Sequence, residues 1–224
     1  IANLPAETVV EVPAVVGPID IRPVQLGSLP EPVAELCRRE AALVERAVDA
    51  AVSGDRDLAL QIMKTFNDFN ADWQNESGQR LFPMAHLPIW DQAEMEKEAR
   101  RCVDMGLRGF VLPDTPERVG VPSFNHDYWT PFLEMCDAEK VPLNFHLNAS
   151  LDAGSAIWDN LGFDQRLPIN ALLHHVGCAA TMSNFMVSGL LDTYEDLKIG
   201  LIESGMGWVP FWLEAMEHQL DEFR

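Results

Sequence analysis

The apolar positions of this chain follow two rhythms. In residues 1 to about 61, Thr8-Val-Val-Glu-Val-Pro-Ala-Val-Val16 reads as extended chain, Gly17-Pro18 as a turn, and Ile21-Arg-Pro-Val-Gln-Leu26 as a second extended piece. A long helix is then predicted from Leu29-Pro30-Glu31-Pro32 to about Val52, with its prolines confined to the first turn. Its apolar positions Val33, Leu36, Ala41, Val44, Ala47, Val48 and Ala51 share one face at the helical period. Gly54 ends that helix, and Asp55 caps a new one that runs through Gln61 toward Trp73. From about Ile62 the pattern becomes strand then helix, four times over. The predicted strands lie within Arg80–Ile89, Gly106–Leu112, Val141–Leu147 and Lys198–Ile202. The helices between and after them cover about Asp91–Met105, Asp127–Glu139, Leu172–Leu191 and Val209–Phe223, with Asp91 as a cap and Glu94 as its capping-box partner. Short buried strands alternating with helices predict a parallel sheet, because parallel neighbours need a covered crossover. Four such units make half of an eight-unit α/β barrel, with two unpaired edges that invite association, as in a homo-oligomer, or aggregation.

Charge and cysteine usage narrow the function classes. A formal charge of -19 and few Lys and Arg argue against nucleic acid and against an anionic membrane surface. No apolar run approaches the roughly 18 residues that span a bilayer, and the amino terminus lacks a signal-peptide pattern. Cys37, Cys102, Cys136 and Cys178 are scattered without CxxC spacing, so packed, reduced thiols and a cytoplasmic setting are expected rather than a thiolate zinc site. The chain begins with Ile and its first segment reads as the middle of something, so a fragment is expected.

Candidate chemistry gathers where apolar strands stop at an ionisable residue. His146 ends Val141-Pro-Leu-Asn-Phe-His146, with Asn148 two residues on and on the same side. Imidazole there can ligate Zn, Mn or Fe or carry a proton, and a hydrogen-bonded core histidine is the competing reading. Glu203 holds the matching place on the last strand, before Ser204-Gly205-Met206-Gly207-Trp208. Gly205 lets a ligand approach the backbone, and the amides opening the Trp208 helix can hold a carboxylate; a capping carboxylate at a tight turn is the alternative. Trp158, in the loop after the His146 strand, is a substrate-pocket candidate. His86, between Pro83 and Pro88, reads as structural, His126 and Asp127 as helix-capping, and the adjacent His174 and His175 point too far apart to share a metal. No dinucleotide glycine loop, Walker sequence or serine elbow is present.

Several segments taken in order resemble the amidohydrolase-related superfamily, in its branch similar to aminocarboxymuconate-semialdehyde decarboxylase. They are Phe66-Asn-Asp-Phe-Asn70, Arg80 to Pro88, Gly106-Leu-Arg-Gly-Phe-Val-Leu-Pro113, Tyr128-Trp-Thr-Pro-Phe132, Val141 to His146, Ser188-Gly189 and Glu203-Ser-Gly-Met-Gly-Trp-Val-Pro210. The resemblance, over about residues 62–224, implies a partial (β/α)8 TIM barrel of about four βα units and a small carboxylated substrate. It implies metal-dependent hydrolysis or non-oxidative decarboxylation, with zinc or manganese as the ion. That family holds its metal with an HxH pair on the first strand, a His on the fifth and an Asp on the eighth. His146 matches the fifth-strand ligand, and no HxH occurs in this chain. Glu203 stands near the place of a further His in many relatives and is carried over as the candidate catalytic carboxylate, with Asn148, Trp158, Gly205 and Trp208 around the substrate. One imidazole cannot retain an ion that needs three or four ligands, so metal is not expected to stay bound and the chain is expected to be inactive as it stands.

Residues 1 to about 61 resemble instead the carboxyl-terminal part of glycoside hydrolase family four, the NAD- and manganese-dependent glycosidases. Ile1-Ala-Asn-Leu-Pro5, Val9-Val-Glu-Val-Pro13, Gly27-Ser-Leu-Pro-Glu-Pro32, Ala50-Ala51 and Gly54-Asp-Arg-Asp-Leu-Ala-Leu-Gln61 carry this likeness. No site residue is carried over, and NAD binding is not expected. Two unrelated partial domains meeting near Gln61 and Ile62, inside one helix, point to a fusion or a misjoined reading frame. Beside the enzyme reading stand a non-catalytic assembly module and, more weakly, a glycosidase fragment.

Overall fold

Both rhythms are realised in the computed structural model of the chain, which describes residues 1–146, 160–173 and 175–223. By contacts the chain divides into two compact units, Ile1–Lys64 and Thr65–Arg224. In the first, β1 (Ala14–Val16) and β2 (Ile21–Pro23) pair antiparallel across the Gly17-Pro18 turn, with Val15 opposite Arg22. Both strands are shorter than the alternation suggested and fully exposed, since Pro13 and Pro23 lack the N–H that would extend a ladder.

α1 (Glu31–Ser53) starts with a proline in its first turn and stops at Gly54, whose φ of +69° is the left-handed geometry that suits glycine. Asn3 holds its approach: its amide group exchanges hydrogen bonds with the Leu29 N–H and C=O at 2.9 and 3.0 Å, and Arg38 donates to the Asn3 carbonyl at 3.0 Å. The helix buries only two of its residues, both alanines. Ala34 and Ala50 are buried, whereas the stripe expected to face a core, Val33, Leu36, Val44 and Val48, lies exposed. With Val9 and Val10 it lines a groove of about 570 Å³.

α2 (Arg56–Glu76) is capped by Asp55, whose carboxylate accepts from the Leu58 N–H at 2.9 Å, and the division between the units falls inside this helix. Then follow β3 (Ala85–His86), α3 (Gln92–Asp104), β4 (Phe110–Pro113), α4 (Thr130–Ala138), β5 (Leu143–His146), α5 (Phe163–Leu173), α6 (His175–Val187), α7 (Leu190–Thr193), β6 (Ile199–Ile202) and α8 (Val209–Glu222). A 3-10 turn, Asp127–Trp129, leads into α4, and the His126 ring caps it by accepting from the Tyr128 N–H at 3.1 Å. Asp91 caps α3 as expected, accepting from the Glu94 N–H at 3.1 Å.

β3, β4, β5 and β6 form one parallel sheet in sequence order, with Val111 opposite His86 and Asn144, and His146 opposite Pro113 and Ile202. This is a partial (β/α)8 barrel of four βα units. β3 is much shorter than its apolar run because Pro83 and Pro88 bracket it. The segment before α6 is also helical, through Pro168, earlier than the pattern indicated.

Side chains alternate across the sheet. One face, carrying Ala85, Phe110, Leu112, Leu143 and Phe145, is buried with Met95, Ala99 and Cys102 of α3 and Phe132, Leu133 and Cys136 of α4. Phe124 links the outer core to α6, with ring centroids 5.0 Å from Phe145 and 5.4 Å from Phe185. All four cysteines are free thiols; burial pushes Cys102 up to about 12 and Cys178 up to about 11, as expected of packed, unreactive groups. The opposite face, with Val111, Asn144, His146, Gly200 and Ile202, stays partly open.

Candidate active site at the carboxyl rim of the parallel sheet

Because Leu143 and Phe145 point into the core, Asn144 and His146 point to the open face. Asn144 is fitted between neighbours: its amide reaches the Phe110 carbonyl at 3.2 Å and the Met84 sulfur at 3.0 Å. On the next strand, Gly200 leaves room for it, since a Cβ there would stand 2.5 Å from the Asn144 oxygen. His146, one step further along the same face, is the last residue of β5.

Glu203 follows the last residue of β6 with φ at +56°, a left-handed conformation that costs a non-glycine residue about 1 kcal/mol. Gly205, with φ at +63°, completes the reversal. The two residues picked from the sequence as strand-end candidates meet here. His146 Nε2 lies 3.0 Å from Glu203 Oε2, and the side chains are 46% and 66% exposed. With Nε2 protonated, the imidazole donates to the carboxylate, and a proton can pass between them.

The turn after Glu203 is tied down by Trp208, whose indole N–H donates to the Ser204 carbonyl at 2.9 Å. Its ring stacks on His175 at 5.8 Å, and Trp212 donates to the Ser183 hydroxyl at 3.0 Å, so the start of α8 is fastened to α6. Both the N–H and one face of the Trp208 ring are therefore engaged within the chain. The Gly205 backbone is exposed. Asn148 and Trp158 lie outside the described residues.

His86 ends β3 and is not joined to the His146 pair. The Asn67 side chain grips its backbone, donating to the His86 carbonyl at 2.9 Å and accepting from its N–H at 3.0 Å. Its ring meets the edge of Phe66 at 5.2 Å, and desolvation lowers its pKa. Asn67 also donates at 2.8 Å to Glu98, which is wholly buried and receives Arg101 at 2.7 and 2.8 Å. This polar chain fixes the rim end of the first strand from behind.

Sequence reasoning passed over Asp114. It follows β4 as Glu203 follows β6, is 1% exposed, and lies beneath α6, where Thr181 donates to its carbonyl. A Cβ on Gly177 would stand 1.8 Å from its carboxylate, so the helix approaches this closely only because residue 177 is glycine. The rule that selected His146 and Glu203 also selects Asp114, because Pro113-Asp114 ends the apolar run Phe110-Val-Leu.

The fit to a metal ion is incomplete. Among the described residues no group of three or more His, Cys, Asp or Glu side chains could hold one. His146 and Glu203 supply two donors, short of the three or four that retain a divalent ion.

Residues 1–65 match the family described as family 4 glycosyl hydrolase C-terminal domain. The gamma-resorcylate decarboxylase of Rhizobium radiobacter is 28% identical over 177 residues, covering 74% of this chain and 50% of that protein. The chain thus spans about half the length of the curated relatives it matches. A dihydroxybenzoic acid decarboxylase from Polaromonas sp. JS666, solved with bound manganese and the inhibitor 2-nitroresorcinol, is 26% identical with a TM-score of 0.51, over 68% of this chain and 47% of that one. A putative amidohydrolase from Staphylococcus aureus, at 20% identity, shares the fold with a TM-score of 0.59 over 72% of this chain and 53% of its own. The parallel-sheet part of the chain is thus similar in sequence to decarboxylases and shares the fold of an amidohydrolase over part of its length, whereas residues 1–65 match the family 4 glycosyl hydrolase C-terminal domain.

Proposed function

We propose that the carboxyl rim of the sheet is one half of an amidohydrolase-type site that acts on a small carboxylated substrate, by non-oxidative decarboxylation or hydrolysis. The observation that carries this reading is the 3.0 Å contact between His146 Nε2 and Glu203 Oε2 at the ends of adjacent parallel strands. Its chemical direction comes from the likeness to the decarboxylases. In a decarboxylation the bond to the carboxylate carbon breaks, CO2 leaves, and the electron pair stays on the substrate carbon, which must then take a proton. The His146–Glu203 pair can hold that proton and pass it on. In hydrolysis the same pair would instead accept a proton from water. Gly205 and the Trp208 ring, with Asn148 and Trp158, would shape the substrate end.

In the whole protein His146 would be one ligand of a divalent ion, manganese or zinc. The described donors are too few to keep such an ion, so no step is routed through it, and the 224-residue chain alone is expected to be silent. The four free thiols favour a cytoplasmic setting.

The test uses this chain with manganese and 2,6-dihydroxybenzoate. Less than one equivalent of metal should survive gel filtration, and no CO2 should be released. Dilute Mn2+ should broaden the His146 imidazole resonances ahead of those of His126 and His218, and His146→Ala should remove that effect. Stoichiometric retained metal with turnover would refute the silence of the chain, and broadening that ignores His146 would refute its role as a ligand.

A further inference from the structure

We propose that His86 is a substrate-binding residue, holding a hydroxyl oxygen at the end of a planar carboxylic acid remote from its carboxylate. This assignment rests on the rim being the site proposed above, and it adds a second wall to that site. His86 lies opposite Val111 and Val111 opposite Asn144, so the three belong to one face of the sheet. Ala85, its neighbour in the chain, is fully buried on the other face, and His86 is exposed. The imidazole thus rises from the face that carries His146, two strands away and two residues nearer the amino end. With strands about 4.8 Å apart and a rise of about 3.3 Å per residue, the two α-carbons stand roughly 12 Å apart.

The strip between them is apolar. Val111 and Pro113 of β4 occupy this face between His86 on β3 and His146 on β5, and each is partly exposed. Imidazoles that reach inward from such a separation leave room for a single ring. The matching ligand is a planar ring that lies on β4 with a polar group at each end.

The backbone of His86 is held independently of its side chain. On α2, Asn67 exchanges hydrogen bonds with the His86 N–H and carbonyl, and Asn70, one turn further on, donates to the Met84 carbonyl at 3.3 Å. Asn67 is fixed in turn by Glu98, and Glu98 by Arg101. Among the described residues the hydrogen bonds at residue 86 go to its backbone, so they set where the side chain starts without requiring an imidazole. Support of this kind suits a binding group, which must be placed to within about 0.5 Å.

The ring itself is accessible, and yet desolvation lowers its pKa, a combination that fits a concave wall better than a convex surface. At neutral pH the imidazole is therefore uncharged, with one nitrogen donating and the other accepting. A hydroxyl also donates and accepts, so it matches this ring, whereas a second carboxylate would find only one donor. The edge of Phe66, with ring centroids 5.2 Å apart, limits how the imidazole can turn.

The experiment is a titration of the isotope-labelled full chain, without metal, followed through the imidazole resonances of His86 and His146. The probes are benzoate, 2-hydroxybenzoate, whose hydroxyl lies beside the carboxylate, and 4-hydroxybenzoate, whose hydroxyl lies across the ring. 4-Hydroxybenzoate should shift both imidazoles and bind about fivefold more tightly than the other two, the gain from one hydrogen bond. His86→Phe, which keeps a ring against Phe66, should abolish that advantage and leave the affinity for benzoate unchanged. A merely structural role would weaken all three probes alike, and that result would overturn the proposal. Shifts at His146 without shifts at His86 in the parent would also overturn it while leaving the rim site standing, and this measurement needs no variant to fold. If no probe moved either ring, the rim site and the role of His86 would fall together.

Discussion

α4 and α8 hold equivalent places in the fold, each following the carboxyl-end loops of the same parallel sheet, yet their fates differ. α4 buries Phe132, Leu133, Met135 and Cys136 to 8% exposure or less, and α8 buries nothing to that degree. Both carry apolar residues at helical spacing, and α8 places Trp212 and Met216 on one face with Val209. The difference is the neighbourhood. α4 lies over a seam between two paired strands, β4 and β5, whereas α8 comes after the last strand of the sheet. A helical pattern therefore identifies an apolar face, and its burial depends on what packs against that face.

The sharpest way to break this contrast is to truncate the centre. Phe132 is fully buried and packs its ring 5.5 Å from Phe110. Phe132→Ala should cost about 3–5 kcal/mol in denaturant unfolding, the range for deleting a buried aromatic side chain. A smaller loss would mean that the outer face of the half-barrel is as loosely held as its ends.

Next comes the polar chain behind β3. Burial by itself would raise the pKa of Glu98, but the hydrogen bonds from Arg101 and Asn67 outweigh it, and the carboxyl is held below its ordinary value. A depressed carboxyl pKa stabilises the fold above the unfolded value and loses that contribution as pH falls through the folded one. Glu98→Ala should cost about 3 kcal/mol near neutral pH, because it removes the buried carboxylate to which Asn67 and a partly buried Arg101 donate. The penalty should shrink in acid as the parent's own carboxylate protonates, and unfolding curves across that range would show a constant penalty if the pair were unimportant. Further out, Asp91→Ala removes the cap bonded to the Glu94 N–H and should cost about 1 kcal/mol by the same assay.

What the sequence revealed, and what it hid, follows the same division. The parallel sheet and four βα units were legible because strand-period and helix-period runs alternate between clear punctuation: Asp55, Asp91 and His126 all cap as their positions imply. The pairing of His146 with Glu203 was half legible. Each was visible as an ionisable residue ending an apolar strand, but their 3.0 Å contact depends on the register of β5 on β6 and on a left-handed Glu203, neither of which a local pattern contains. Asp114 ends its strand by the same rule, but its burial was not legible, since that comes from Gly177 and Thr181, more than sixty residues away. The α1 stripe misled because periodicity identifies an apolar face without saying what covers it; Val44 and Val48 are exposed and the buried residues are alanines. β3 fell short of its apolar run because two prolines remove ladder donors.

The smallest predicted effect returns to α8 and is the most discriminating. Phe211 is 74% exposed, so in the isolated chain it makes few contacts to lose. Phe211→Ala should change unfolding stability by no more than about 0.5 kcal/mol, as for other surface positions. Denaturant unfolding of both proteins measures the difference, and a loss of well over about 1 kcal/mol would mean that Phe211 packs within its own chain and that α8 resembles α4 after all.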